Sequence, residues 1–294
     1  MAEAGAPAAA QQNPPFRTRQ WALFASAAPK AVILRRGPKT HFRLIAWDLE
    51  TDTFTPGQWM KGVVHLSDLS PDGGKLIYWA SQYHIKTRER FDSQSAAFDP
   101  MKNGIDPRLM CRPKRKIPQY IRTSLSNPRQ PLRPNTGTWT AISTPPYFTA
   151  LAIWPSEGTW TGGGAFHSQR DIVLRESEDG LAAVENVPIP ATLRIRAAKV
   201  AADFQRAAYA PAFEISEQQK ALRLTLPKAG AEWVDWVNVR QGEDMLFGAD
   251  GRVWRLKRWA DVPPERYLAE AECLADFRDM RFELMPAPAS AMRW

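Results

Sequence analysis

Cysteine, histidine and long apolar runs are scarce in this sequence, and each scarcity excludes a class of protein. The 294 residues contain two cysteines, Cys111 and Cys273, with no Cys-x-x-Cys spacing, so neither a disulfide framework nor a zinc site is implied. Nowhere do about 18 apolar residues follow one another. Residues 1–15 lack the basic start and apolar core of a signal peptide. The sequence therefore predicts a soluble, cytoplasmic protein that does not enter membranes.

Familiar catalytic and ligand-binding motifs are missing as well. No metal-ligand spacing relates the four histidines, which are His41, His65, His84 and His167. No Gly-x-Ser-x-Gly elbow surrounds the serines considered as nucleophiles, Ser70, Ser143 and Ser168. The Gly162–Gly164 triplet has no following Gly-Lys-Ser/Thr and suits a turn better than a phosphate loop. We expect no metal, no cofactor and no catalytic residue.

Tryptophan and proline, in contrast, are plentiful. The chain has 12 Trp and 25 Pro, a combination that favours short, half-buried strands interrupted by turns. In two stretches, 43–79 and 232–258, candidate strand pairs flank Ser-Pro-Asp-Gly-Gly at 70–74 and Asp-Gly at 250–251. Each stretch also places a tryptophan beside an aspartate, as Trp47-Asp48 and Asp235-Trp236. The pattern predicts repeated antiparallel sheet units that stack to bury their apolar faces.

Patterning divides the chain into an arm and one folded region. Residues 1–15 are too poor in core-forming side chains to fold, whereas residues 16–294 are expected to form a single β-rich domain. Strands are predicted at 31–34, 42–48, 63–66, 76–79, 139–143, 147–154, 165–167, 171–175, 245–247 and 253–256. Segments 139–175 are grouped as a third unit. A less regular fourth unit would contain strands at 193–195 and 221–226 and a helix at 197–209.

The C-terminal part is predicted to contain a helix. Asp261 would cap it ahead of Pro263-Pro264. Apolar residues then recur at helical spacing, at Tyr267, Leu268, Ala271, Leu274 and Ala275. The helix should end before Arg281, and a closing strand is expected at 281–285.

The segments Leu44–Asp48 and Leu69–Tyr78 resemble blades of β-propellers of the WD40 and TolB-like kinds. The chain departs from those families because no Gly-His precedes each Trp-Asp and the spacing is irregular. It also resembles uncharacterised bacterial proteins of similar length, and this second resemblance indicates no particular activity. The resemblance implies a mainly β fold, an irregular or incomplete propeller-like array of antiparallel sheets with a C-terminal helix, and a scaffold that binds macromolecules.

A basic, proline-rich insertion at about 88–135 is the most distinctive candidate site. Between 101 and 135 there are nine Lys or Arg and one Asp. The residues proposed to contact a macromolecule are Arg112, Lys114, Arg115, Lys116, Tyr120 and Arg122. Such a cluster can neutralise phosphates while the tyrosine stacks on a base, although a solvated loop is the simpler interpretation. The same charges would lower the pKa of the Cys111 thiol, yet a lone loop cysteine is more often incidental.

These observations favour a non-catalytic scaffold or interaction module with a protein partner. Two alternatives stay open. One is nucleic-acid binding through the insertion. The other is a hydrolase whose carboxylates, for example Asp48, Asp68 and Asp235, converge near the centre of the array, although aspartates beside strands commonly bind turn amides instead.

Overall fold

The architecture is known from a computed structural model of the chain. The residues it describes are 17–37, 40–81, 138–156, 162–175, 183–198, 216–239 and 244–294. This part of the chain is mainly β, which confirms the predominance of strands expected from the sequence. Among the described residues, none of the helices has the length and apolar character needed to span a bilayer.

The first sheet, sheet I, is an antiparallel meander of four consecutive strands. They are β1 (Arg19–Phe24), β2 (Lys30–Arg36), β3 (His41–Asp48) and β4 (Thr53–Lys61). The predicted strands at 31–34 and 42–48 lie within β2 and β3 and pair with each other, Ile33 opposite Ile45. Asp48 accepts backbone N–H bonds from Glu50 (3.0 Å) and Thr51 (3.1 Å), which forms the turn into β4.

Sheet II contains five strands in the order β11-β8-β7-β6-β5. They are β5 (Val63–Leu69), β6 (Leu76–Ser81), β7 (Thr138–Ser143), β8 (Ala150–Ser156) and β11 (Val184–Glu185). The predicted hairpin at 70–74 joins β5 to β6, and Gly73 has φ 72°, the positive value that its turn requires. Since β7 pairs with β6 over its full length, the chain resumes the same sheet after residues 82–137.

Sheet III has three strands and sheet IV has four. Sheet III consists of β9 (Gly164–Ser168), β10 (Asp171–Arg175) and β12 (Arg194–Ala198), with β10 and β12 parallel. Sheet IV is a meander of β13 (Val234–Val239), β14 (Asp244–Ala249), β15 (Arg252–Lys257) and β16 (Glu272–Asp276). The grouping of 139–175 as one unit is therefore wrong, because β7 and β8 complete sheet II while β9 and β10 belong to sheet III.

The sheets stack face to face in the order IV, I, II, III. On β2, Ile33 faces Leu246 of sheet IV, whereas the next residue, Leu34, faces Tyr78 of sheet II. On β6, Ile77 then packs toward Ile172 of sheet III. Successive strand residues point to opposite faces, so strands that are apolar on both faces become the inner layers.

A helix covers the outer face of sheet IV. Helix α1 (Glu217–Thr225) begins with a capping box, in which Ser216 and Gln219 each accept the other's backbone N–H. Its Leu222 packs against Met245 and Phe247 of β14. The prediction of a strand at 221–226 is thus wrong. The capping box and the packing of Leu222 on sheet IV stabilise a helix more than the leucine and threonine content of the segment favours a strand. The predicted helix at 197–209 lies almost wholly outside the described residues.

The prediction of a long C-terminal helix is also wrong. A 3-10 turn (Pro264–Arg266) leads into one turn of helix, α2 (Tyr267–Glu270), and Ala271 is already extended. The residues that follow form β16, and hydrogen bonds to β15 satisfy their backbone groups. Leu274 of this strand packs into the layer between sheets I and IV. Residues 281–285, expected to be a closing strand, have no regular secondary structure.

Ile33, fully buried between sheets I and IV, provides a test of the stacking order. We expect Ile33→Ala to lower the free energy of unfolding by about 2–5 kcal/mol, because it removes core contacts and leaves a cavity. Denaturant titration measures this loss. The control is Leu224→Ala on the exposed side of α1, which should change stability little. A near-neutral Ile33→Ala would contradict the packing of sheet I on sheet IV.

Candidate functional site

The first strands of the four sheets are neighbours. Strand β1 lies against β13 on one side and β5 on the other, and β5 also lies against β9. These strands carry the polar side chains that connect one sheet to the next. Two of the three carboxylates considered for hydrolase chemistry, Asp68 and Asp235, are among them.

Asp68 connects sheet II to sheet III. One carboxylate oxygen accepts the N–H of Leu69 (2.8 Å), and the other accepts the N–H of Phe166 in β9 (2.7 Å). A register shift lies between Leu66 and Asp68, which turns the carboxylate toward the neighbouring sheet. Asp68 therefore ties two sheets together through backbone amides.

Asp235 connects sheet IV to sheet I in the same manner. It accepts the N–H of Gln20 in β1 at 2.9 Å and pairs with the guanidinium of Arg19. A register shift occurs between Val234 and Trp236, so Asp235 is the extra residue of a bulge. The Asp235 side chain is almost completely buried, whereas that of Arg19 is partly exposed.

Burial perturbs both carboxylates. Desolvation raises the pKa of Asp68 to about 6, against the lowering effect of its two backbone hydrogen bonds. Desolvation likewise raises the pKa of Asp235 to about 6, with the charge of Arg19 acting in the opposite direction. Such shifts occur at catalytic sites, but these carboxylates also have backbone partners on neighbouring sheets, as a structural connection requires.

The other candidate side chains have local roles. Asp48 is the turn residue described above, and its backbone hydrogen bonds lower its pKa. The Ser70 hydroxyl donates to Asp72 (2.6 Å) and accepts the Lys75 N–H (2.8 Å) within the 70–74 turn. His65 packs beside Trp79, and burial lowers its pKa. Within the described ranges, no group of three or more His, Cys, Asp or Glu is arranged to hold a metal ion.

The basic cluster lies outside the described residues. This applies to Cys111 and His84 and to every residue proposed for macromolecule binding, namely Arg112, Lys114, Arg115, Lys116, Tyr120 and Arg122. Their role stays a prediction from the sequence.

A pair of buried arginines at one end of sheet I was not anticipated. Arg35 on β2 is 2% exposed and Arg43, opposite it on β3, is 6% exposed. Their guanidinium carbons lie 5.4 Å and 5.3 Å from the ring centroid of Trp59, so the indole packs against both cations. Burial and the neighbouring charge of Arg43 lower the pKa of Arg35 to about 10.

These arginines hold residues 277–284, which we call the C-terminal strap. Arg35 donates to the carbonyl oxygens of Phe277 and Arg278, at 3.0 Å each. An Arg43 nitrogen lies 3.6 Å from a carboxylate oxygen of Glu283. Phe282 packs on the Trp59 ring, with centroids 6.0 Å apart, and on His41, at 5.7 Å. The strap thus continues from β16 across the end of sheet I.

Exposed apolar side chains gather at this same end. The described residues include five large hydrophobic side chains that are exposed, and four of them lie near this end of sheet I. Phe282 and Leu284 are on the strap, Val63 is at the start of β5 in sheet II, and Trp21 on β1 lies on the face toward sheet II, opposite to the arginine pair. We call these four residues the sheet I rim. Trp21 packs against Phe42, at 6.3 Å between centroids, and Val63 directly follows the β4–β5 connection. Aromatic side chains beside arginine are typical of protein-binding surfaces.

In comparisons with known proteins, no family model, curated protein or solved structure matches the chain.

The raised pKa of Asp68 predicts a pH-dependent stability. A carboxyl whose pKa is higher in the folded than in the unfolded protein adds stability that is complete below about pH 4 and is lost as pH rises through about 6. Lowering the pH from 7.5 to 5 should therefore stabilise the wild type by about 1 kcal/mol more than Asp68→Asn. Urea titrations at both pH values measure the difference.

Asp48→Asn is the control for this experiment. The pKa of Asp48 is lowered, so its contribution changes only below the tested interval, and the variant should keep the wild-type pH dependence. Equal pH dependence in Asp68→Asn and the wild type would show that the Asp68 carboxylate is not buried as described.

Arg35→Met should loosen the strap, because the carbonyls of Phe277 and Arg278 lose their buried donor. We expect amide hydrogen exchange over residues 277–284 to report an opening free energy lower by about 1–3 kcal/mol. Arg196→Met, which removes an exposed arginine paired with Asp171, is the matched control and should leave strap exchange unchanged. Unaltered exchange in Arg35→Met would disprove the anchoring role of Arg35.

Proposed function

We propose that the protein is a non-catalytic scaffold, a propeller-like interaction module that binds another protein through the sheet I rim. The observation that carries the proposal is that four of the five exposed large hydrophobic side chains among the described residues lie near one end of sheet I, one on β1, one on β5 and two on the strap. Exposed apolar groups gathered in one place favour a partner, whereas scattered ones need no explanation. Arg35, Arg43 and Trp59 are buried at the same end of sheet I and keep it rigid, which reduces the entropy lost on binding.

The stacking of the sheets supports the propeller-like part of the proposal. Sheets I and IV are four-stranded meanders, and neighbouring sheets in the stack have their first strands side by side, which resembles the arrangement of propeller blades. The outer face of sheet IV is covered by α1, which suits an open array better than a closed ring. In this arrangement Asp68 and Asp235 connect neighbouring blades, so the carboxylates of the hydrolase alternative already have structural roles.

The double variant Trp21→Ala/Val63→Ser tests the rim. We expect it to fold with nearly wild-type stability and to lose partners that the wild-type protein retains in affinity capture from its source cells, because interface anchors are few and aromatic. Candidates identified by mass spectrometry are then purified, and their affinity for both proteins is measured by calorimetry.

The matched control is Leu224→Ser, which alters the remaining exposed apolar side chain among the described residues, on α1. A purified partner that binds wild type and Leu224→Ser equally and the double variant at least roughly tenfold more weakly supports the proposal. Equal affinity of a partner for all three proteins would show that the interface lies elsewhere and would refute the role of the rim.

A further inference from the structure

We propose that the groove formed by Arg43, Trp59 and His41 is a peptide-binding site whose ligand is a partner segment with an aromatic residue followed directly by an acidic one, and that the strap occupies this site in the free protein. The inference rests on the proposed function and deepens it, because it gives the chemistry of the partner segment that takes the place of Phe282 and Leu284, while Trp21 and Val63 stay exposed to the partner. Phe282-Glu283 of the strap is the internal example of that sequence.

The contacts of the strap show what the groove recognises. The Phe282 ring lies against Trp59 and His41, so the apolar part of the site takes a flat ring edge-on or tilted. Glu283 follows at once and lies closest to Arg43. The ring and the carboxylate belong to consecutive residues and lie beside neighbouring parts of the site, because the Arg43 guanidinium lies 5.3 Å from the centroid of the Trp59 ring.

The charge of the site is incompletely neutralised by the strap. Arg43 is buried, yet its contact with Glu283 spans 3.6 Å, longer than a hydrogen bond, and the Glu283 side chain is 67% exposed. Arg35 lies beside Arg43 and adds a second positive charge, which Asp279 of the strap partly offsets; burial first, and then the charge of Arg43, lower the pKa of Arg35. A partner carboxylate able to approach Arg43 more closely would bind better than Glu283 does.

The strap is divided into an anchored and a weakly held part. Phe277 is 2% exposed in the layer between sheets I and IV, and Arg35 fixes the carbonyls of 277 and 278. Beyond them the backbone belongs to no sheet, and Phe282 and Leu284 are 43% and 59% exposed. Met280 packs against the same layer as Phe277, so residues 281–284 can leave the groove while β16, Phe277 and Met280 remain in place.

The test uses the full-length chain and a fluorescein-labelled peptide with the sequence of residues 279–285, Asp-Met-Arg-Phe-Glu-Leu-Met. Phe282→Ala/Glu283→Ala removes the side chains that hold the internal strap. By fluorescence anisotropy, this variant should bind the peptide at least roughly tenfold more tightly than the wild type, whose tethered strap competes at high effective concentration.

Two controls separate recognition from unspecific adhesion. A peptide with Ala-Lys in place of its Phe-Glu should not bind, since it lacks the ring and presents a positive charge to Arg43. Adding Arg43→Gln to the double variant should weaken binding of the original peptide. Because changing a buried arginine can unfold the protein, circular dichroism accompanies this variant, and the altered peptide tests recognition independently of it.

Several outcomes would overturn the inference. A folded double variant that ignores the peptide, or binds the Ala-Lys peptide equally well, shows that the groove recognises no such segment. A wild-type dimer that disappears in the double variant shows that the occupant is the strap of a second copy. Loss of a partner on Trp21→Ala/Val63→Ser without any peptide binding removes this inference and leaves the proposed function standing.

Discussion

The structure depends on the need to cover both faces of each inner sheet. Ile33 and Leu34 are adjacent in β2, yet one is buried against sheet IV and the other against sheet II. A strand with apolar residues on both faces gains stability only when two further layers are present, so sheet I requires both of its neighbours. The same constraint applies to sheet II and explains why stacking continues to sheet III. Helix α1 ends the series by covering the outer face of sheet IV.

Short-range signals were sufficient to predict most strands and turns. At Asp250-Gly251, φ is 54° and 76°, the positive values of the hairpin turn expected from an Asp-Gly pair. Sheet membership was not predictable in this way, because it depends on pairing between β6 and β7 across 56 intervening residues, 82–137. The prediction of a C-terminal helix was wrong for a related reason. Leu274 and Ala275 fit helical spacing, but their backbone can also hydrogen-bond to the edge of β15. This pairing between distant parts of the fold determined their secondary structure, and the local periodicity did not.

The polar sites were harder to predict than the strands. The spacing of buried residues in β5 changes from two to three between Leu66 and Leu69, which is the signature of a bulge and marks Asp68 as a side chain with altered direction. That signal was present in the sequence. The burial of Arg43 could also have been predicted, since Arg43 lies on the same face of β3 as Ile45 and Trp47. Its contact with Glu283, however, spans 240 residues, and no local pattern relates the two.

The arginine pair is a costly way to hold a surface segment if stability alone is considered. Burying two like charges carries a desolvation penalty, and apolar side chains of similar volume would pack against Trp59 without it. What guanidinium groups add is direction: Arg35 binds two successive carbonyls, which sets the register of the strap, and Arg43 favours an acidic residue at one position. A groove that fixes both register and charge discriminates among peptide sequences, whereas an apolar groove accepts many. The cost in stability is therefore understandable at a surface that selects one segment over others.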